Sequence, residues 1–162
     1  MDNYKLYKGI VNKNIFEEFE EKHGLNLLHH SANSCNVDDF LSVAYTLCPD
    51  FVEINGYIFV SDLFDVNGEN AKSNLKILEE QFNNDKKLVE MWVNSRSVGD
   101  FFIGKYTKSL DNDRILNEFS STLISFWKRR VKEIFPDRNI VIEVGNEIMG
   151  ELGLTITMYQ AD

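Results

Sequence analysis

Apolar residues in this chain recur at helical and strand spacings, and those spacings divide it into segments. Asn14-Ile-Phe-Glu17 reads as an N-cap with a glutamate three residues on, the order of a capping box. It predicts a helix to about His23, stopped by Gly24, with Ile15, Phe16 and Phe19 inward and Glu17, Glu18, Glu20 and Glu21 outward. A second helix is expected after Asn36. It places Val37, Phe40, Leu41, Ala44 and Leu47 on one apolar stripe and ends before Pro49.

The sharpest local signal follows. Phe51-Val-Glu-Ile54 and Tyr57-Ile-Phe-Val60 flank Asn55-Gly56, the residue pair that a type I′ turn favours because both central positions need φ > 0. A two-residue loop pairs Ile54 with Tyr57 and Val52 with Phe59 on one face, and Glu53 with Ile58 and Phe51 with Val60 on the other. Both faces are largely apolar, so the hairpin is expected to be covered on two sides, the alternative being one side offered to a partner. Further on, Ala71, Leu75, Leu78 and Phe82 predict a helix over 70–83. Asp85 caps a short helix holding Leu88, Val89, Met91 and Trp92. Gly99 and Gly104 bracket Phe101-Phe102-Ile103 as a loop or apolar plug.

Asp111 to Phe135 is the longest periodic segment, with Leu116, Phe119, Leu123, Trp127, Val131 and Ile134 as its buried stripe. Acids at its start and Lys128, Arg129, Arg130 and Lys132 near its end complement the helix dipole, and Pro136 closes it. Two alternating strands, Ile140–Val144 and Leu154–Tyr159, then form a second hairpin round a loop at 146–152. The expected fold is α+β: two antiparallel hairpins, or one small sheet, packed with about five helices. With no repeat and no linker composition, residues 1–162 read as a single domain.

Charge narrows the function. The chain has 162 residues, enough for a core without disulfides or metal, and 26 Asp and Glu against 17 Lys and Arg give a net charge of -9. Such a chain repels polyphosphates, which argues against a general nucleic-acid-binding role. No stretch free of Asp, Glu, Lys and Arg reaches 18 residues, so no membrane-spanning helix is expected. The opening MDNYKLYKGIVNKN has no basic segment followed by an apolar one, as a signal peptide would. With only Cys35 and Cys48, the second read as a small buried hydrophobe and the first as an exposed thiol, the chain is expected to be cytoplasmic.

Catalytic and metal motifs are sparse. His23, His29 and His30 are the only histidines; adjacent ones diverge on any regular element, and neither Cys-x-x-Cys nor His-Glu-x-x-His occurs. Asp65-Val-Asn-Gly68 fails as a calcium loop, since its register puts Leu63 and Asn74 at positions one and twelve. Gly145 to Gly153 lacks the P-loop lysine and leads into a strand. The one cluster with residue types for a nucleophile and its base is Ser31, Ser34 or Cys35 near His29 or His30. An enzyme using that loop is one alternative to a toxin-binding inhibitor, though no Gly-x-Ser-x-Gly supports it, and an unrelated protein-interaction module is another. Lys128 to Lys132 reads as a solvated helix end. No metal, cofactor or catalytic residue is expected.

The acids are unevenly spread. Residues 50–71 carry five acids and no Lys or Arg, and 139–162 carry four and none. Asp50, Glu53, Asp62, Asp65 and Glu69 on the first hairpin, then Glu143, Glu147 and Glu151 on the second, are the candidate partner-binding residues. A concentrated acidic surface captures cationic partners quickly.

Leu47-Cys-Pro-Asp-Phe-Val-Glu-Ile-Asn-Gly-Tyr-Ile-Phe-Val60, Phe135-Pro-Asp-Arg-Asn-Ile-Val-Ile-Glu143 and Leu154-Thr-Ile-Thr-Met-Tyr-Gln160 resemble small bacterial immunity proteins of contact-dependent growth inhibition and related polymorphic-toxin systems. The likeness runs over about residues 40 to 160. It implies a cytoplasmic, non-catalytic inhibitor, monomer or weak dimer, that binds the toxin domain of a secreted effector. Such toxins are often cationic nucleases. The resemblance assigns no individual residue a role.

Overall fold

A computed structural model of the chain describes residues 5–65, 68 and 70–161. It is α+β. In chain order come α1 (Leu27–Ser34), α2 (Val37–Leu47), β1 (Phe51–Ile54), β2 (Tyr57–Val60), α3 (Ala71–Gln81) and α4 (Lys86–Asn94). They are followed by β3 (Arg96–Ser97), α5 (Asp113–Ile134), β4 (Ile140–Asn146) and β5 (Leu154–Gln160), with short 3-10 turns between. β1 and β2 pair antiparallel, and β5 lies between β3 and β4 in a separate antiparallel sheet.

The first hairpin has the expected register, Phe51 opposite Val60 through Ile54 opposite Tyr57. Its turn residues Asn55 and Gly56 have φ of 52° and 84°, as type I′ demands. All of β2 is buried because each face meets a different cluster. Ile58 and Val60 join Leu123, Trp127 and Val131 of α5 with Ile142, Ile156 and Met158 of the second sheet. Tyr57 and Phe59 join Phe64, Ala71, Leu75 and Val89 beneath α3 and α4.

β2 and β5 approach each other without forming a ladder. Two polar side chains of α4, one turn apart, fill the gap. Asn94 accepts the Val60 N–H at 2.9 Å and donates to the carbonyls of Ile58 and Met158, each at 3.0 Å. Glu90 accepts the Ile58 N–H at 2.8 Å and the Gln160 backbone N–H at 2.6 Å, and the Gln160 amide also donates to it. Both residues are completely buried, and they supply to each strand edge the partners that the other strand would have given. Among the described residues, no buried side-chain nitrogen or oxygen lacks a partner.

Several expectations need correction. The first helix is only a 3-10 turn, Lys13–Glu18, capped by Asn12 and not by Asn14. Four glutamates crowded at helical spacing repel one another. Instead Glu18 pairs with Arg114, and Glu20 with Lys108 at 2.7 Å. His29, His30, Ser31 and Ser34 lie on α1, where the sequence suggested a loop. Cys48 is exposed, because it caps α2 at the surface instead of continuing its apolar run inward. β3 was not foreseen. β5 is buried on both faces along its middle, with Thr155 and Thr157 enclosed. Among the described residues no helix is long and apolar enough to cross a membrane.

Candidate functional site

The expected acidic residues do not form one surface. Asp50 and Asp62 meet at the open end of the first hairpin, where the Ser61 N–H donates to the Asp50 carbonyl at 2.8 Å. Asp62 lies in the 3-10 turn after β2, and its carboxylate accepts the Tyr45 hydroxyl of α2 at 2.6 Å. That hydrogen bond is the main reason the Tyr45 phenol is held above its ordinary pKa, with burial and the Asp62 charge adding to it. Asp65 is exposed just beyond, and Glu69 lies outside the described residues. Glu53 is exposed on β1 but already engaged, its carboxylate 2.9 Å from the Arg138 guanidinium.

The second group is elsewhere. Glu143 is half-buried in β4 opposite Thr157. Glu147 and Glu151 are in the loop past the far end of β4, Glu147 exposed at a left-handed φ of 55°. Arg138, which holds Glu53, precedes β4, and Glu147 follows it. The length of that strand, roughly 20 Å, separates Glu53 from Glu147. The fold therefore brings Asp50 and Asp62 together beside Tyr45, turns Asp65 toward a cleft between α3 and α4, and leaves Glu53 apart from Glu147.

Two features at the first group were not read from the sequence. Between α2, β2 and α5 lies a cleft of about 250 Å³ lined by Tyr45, Val60, Asp62, Arg96, Phe101 and Trp127. Arg96 reaches it from β3, a two-residue strand that leaves no periodic trace. The other feature is the exposure of α2. The helix buries no residue, and its last turn holds it to the body. There the Trp127 indole donates to the Thr46 carbonyl at 3.0 Å and Leu47 packs on the core. A signal for this was present: no Lys or Arg falls between Lys22 and Lys72, and seven acids do.

Of the residues considered for catalysis, His23, His30 and Ser34 line one open cleft with Glu20, Glu21 and Tyr106. The His30 ring packs edge-on against Phe16 and Phe19, and its Nδ1 accepts the His23 backbone N–H at 3.1 Å. The Ser31 hydroxyl donates to the Leu28 carbonyl at 3.0 Å, and Cys35 caps the end of α1 at the surface. Among the described residues, no hydrogen bond joins His29 or His30 to the side chain of Ser31, Ser34 or Cys35. Nor do three His, Cys, Asp or Glu side chains gather as a metal site requires. What the acidic end of the hairpin offers chemically is a field and a set of hydrogen-bond acceptors. Comparison with protein-family models, with curated proteins and with solved structures found no match.

Proposed function

We propose that the chain is a non-catalytic immunity protein that binds a cognate cationic toxin domain, a nuclease in the leading case, and occludes its active site. One observation carries this reading: Asp50, just before β1, and Asp62, in the turn after β2, stand exposed, with Asp65 exposed further along the same stretch of sequence, which contains no Lys or Arg. Fixed acids of one sign steer a cationic partner and raise the association rate. Nucleic acid and anionic membrane are disfavoured by the same field.

The test is co-purification with the product of the adjacent gene, followed by association rates at low and high salt. Lys at Asp50 alone slows association modestly, since single rim charges are worth about 0.2–1 kcal/mol. Lys at Asp50, Asp62 and Asp65 together slows it greatly, and salt mimics the effect. Glu53 is left in place because its replacement by Lys would set a like charge against Arg138. A rate indifferent both to salt and to the triple replacement overturns the reading of this surface and moves the contact to the 143–151 loop.

A further inference from the structure

We infer that the exposed stripe of α2 is the centre of the contact, and that it receives an apolar helix flanked by Lys and Arg on the partner protein. The inference deepens the proposed function and rests on its reading of the partner as cationic. It shifts the main contact from the hairpin acids to the helix beside them.

The stripe is unusual for a folded chain. Val37, Phe40, Leu41 and Ala44 share one helical face by their spacing, yet Val37 is 72%, Phe40 51% and Leu41 66% exposed. A helix of 11 residues is marginal alone in water, so something must hold it. At its start the Asn36 side chain accepts the Asp39 N–H while the Asp39 carboxylate accepts the Asn36 N–H, each at 2.9 Å. At its end are the Trp127 bond to Thr46 and the Tyr45 bond to Asp62. Capped at its start and anchored to the body at its last turn, α2 presents its stripe outward as a formed ridge. A contiguous apolar patch of this kind marks a place of contact.

Charge selects what covers it. Asp38 and Asp39 sit in the first turn of α2, and Asp62 is bonded to its last turn. Acids in a first turn also suit the helix dipole, so by themselves they mean little. The informative fact is that residues 23–71 contain no Lys or Arg, so the rim of the stripe is acidic along the helix, and Arg96 of β3 enters only in the cleft past its last turn. A second copy docking face to face would bring two such acidic rims together, which is repulsive. An anionic lipid surface is repelled in the same way. A cationic partner is attracted, and an amphipathic helix matches a ridge of helical spacing. From Val37 to Ala44 the stripe is about 10 Å long, enough for two turns of partner helix.

The test needs no toxin. Three synthetic helical peptides are titrated against the full chain at low salt: one of Leu and Lys with an apolar face, one with Lys replaced by Ser, and one with Leu replaced by Ser. The Leu/Lys peptide is expected to bind, and to lose about tenfold in affinity with Phe40→Ser plus Leu41→Ser. Circular dichroism confirms that the variant remains folded, since neither side chain is in the core. Equal binding by the variant overturns the inference, as does equal binding by either control peptide. Self-association of the chain that the same substitutions abolish also overturns it, in favour of a second copy. If the peptides fail while the adjacent gene's product still binds and still responds to Lys at Asp50, Asp62 and Asp65, the hairpin carries the contact and the immunity reading stands.

Discussion

α2 and α4 are of similar length, and both are capped by an Asn or Asp side chain, yet α2 buries no residue while α4 buries Val89, Glu90 and Asn94. In α2 the apolar stripe Val37, Phe40, Leu41 and Ala44 lies in solvent. In α4 the polar pair Glu90 and Asn94 lies in the core, and Trp92 is exposed. The apolar arc of α4, Leu88, Val89, Trp92 and Val93, is offset by about 100°, one residue step, from the face that is buried. The comparison teaches that periodicity fixes which residues share a face, but neighbouring elements decide which face is covered. α4 sits against two strand edges whose N–H and C=O groups need partners, so Glu90 and Asn94 go in beside Val89. Among the described residues α2 is held to the body at its last turn, by Thr46 and Leu47, and most of its apolar side stays out.

The hardest blow to this contrast should fall on the polar bridge. Asn94→Leu suits the apolar core in shape but strands the Val60 N–H and the carbonyls of Ile58 and Met158. Each buried unpaired group costs about 1–3 kcal/mol, so the sum should reach about 3 kcal/mol or more in chemical denaturation. Asn94→Asp is nearly the same size and should also fail badly, because it sets a second oxygen against two carbonyls. A Leu variant as stable as the parent would mean that the bridge contributes nothing.

A smaller loss is expected at the hairpin turn. Gly56→Val forces a β-branched residue to a φ of 84°, at about 1–3 kcal/mol in the same measurement. The Gln160 amide donates to the Gly56 carbonyl at 2.9 Å, so a strained turn also disturbs the end of β5. Smaller still is the change at α2. Phe40→Ser with Leu41→Ser should alter stability by about 0.5 kcal/mol or less. Leu123→Ala in the core should cost about 2–5 kcal/mol. If the α2 pair destabilises as Leu123→Ala does, its stripe is covered in solution.

The least effect concerns the anchor between α2 and the hairpin. The Tyr45 phenol is raised above its ordinary value of 10.0, first by its bond to Asp62. A raised folded value means that its contribution is fully present below the unfolded value and fades as pH climbs through the folded one. Tyr45→Phe should therefore lower stability slightly at neutral pH and remove part of the alkaline decline seen in the parent. Unfolding scans from pH 7 to above 10 compare the two.

Much of the fold was legible because its signals are local. Asn55-Gly56 predicts the hairpin and its register without reference to the rest of the chain, and α3, α4 and α5 lie close to where their apolar spacing and caps put them. What was missed depends on distant partners. The turn at Lys13–Glu18 takes its cap from Asn12, whose own N–H donates to Glu118 on α5 at 2.6 Å. β3 is too short to carry a pattern. Glu90 and Asn94 look like ordinary solvent-facing positions until β2 and β5 are placed beside them. At the candidate site the acidic residue types were visible, but not that Arg138 occupies Glu53 or that the length of β4 lies between Glu53 and Glu147.

The bridge through α4 also sets an order in time. A chain made from its N-terminus has β2 and α4 in hand long before β5. Asn94 reaches the Ile58 carbonyl across 36 residues, but its bond to Met158 spans 64, and that of Glu90 to the Gln160 N–H spans 70. The first half of each side chain's bonding is thus available early, and the second waits for a distant and slower closure. If β2 and α4 dock before β5 arrives, the place that β5 fills lies open beside α4, with the Asn94 and Glu90 bonds to it still unmade. Any extended segment encountered in the interval competes with β5 for it.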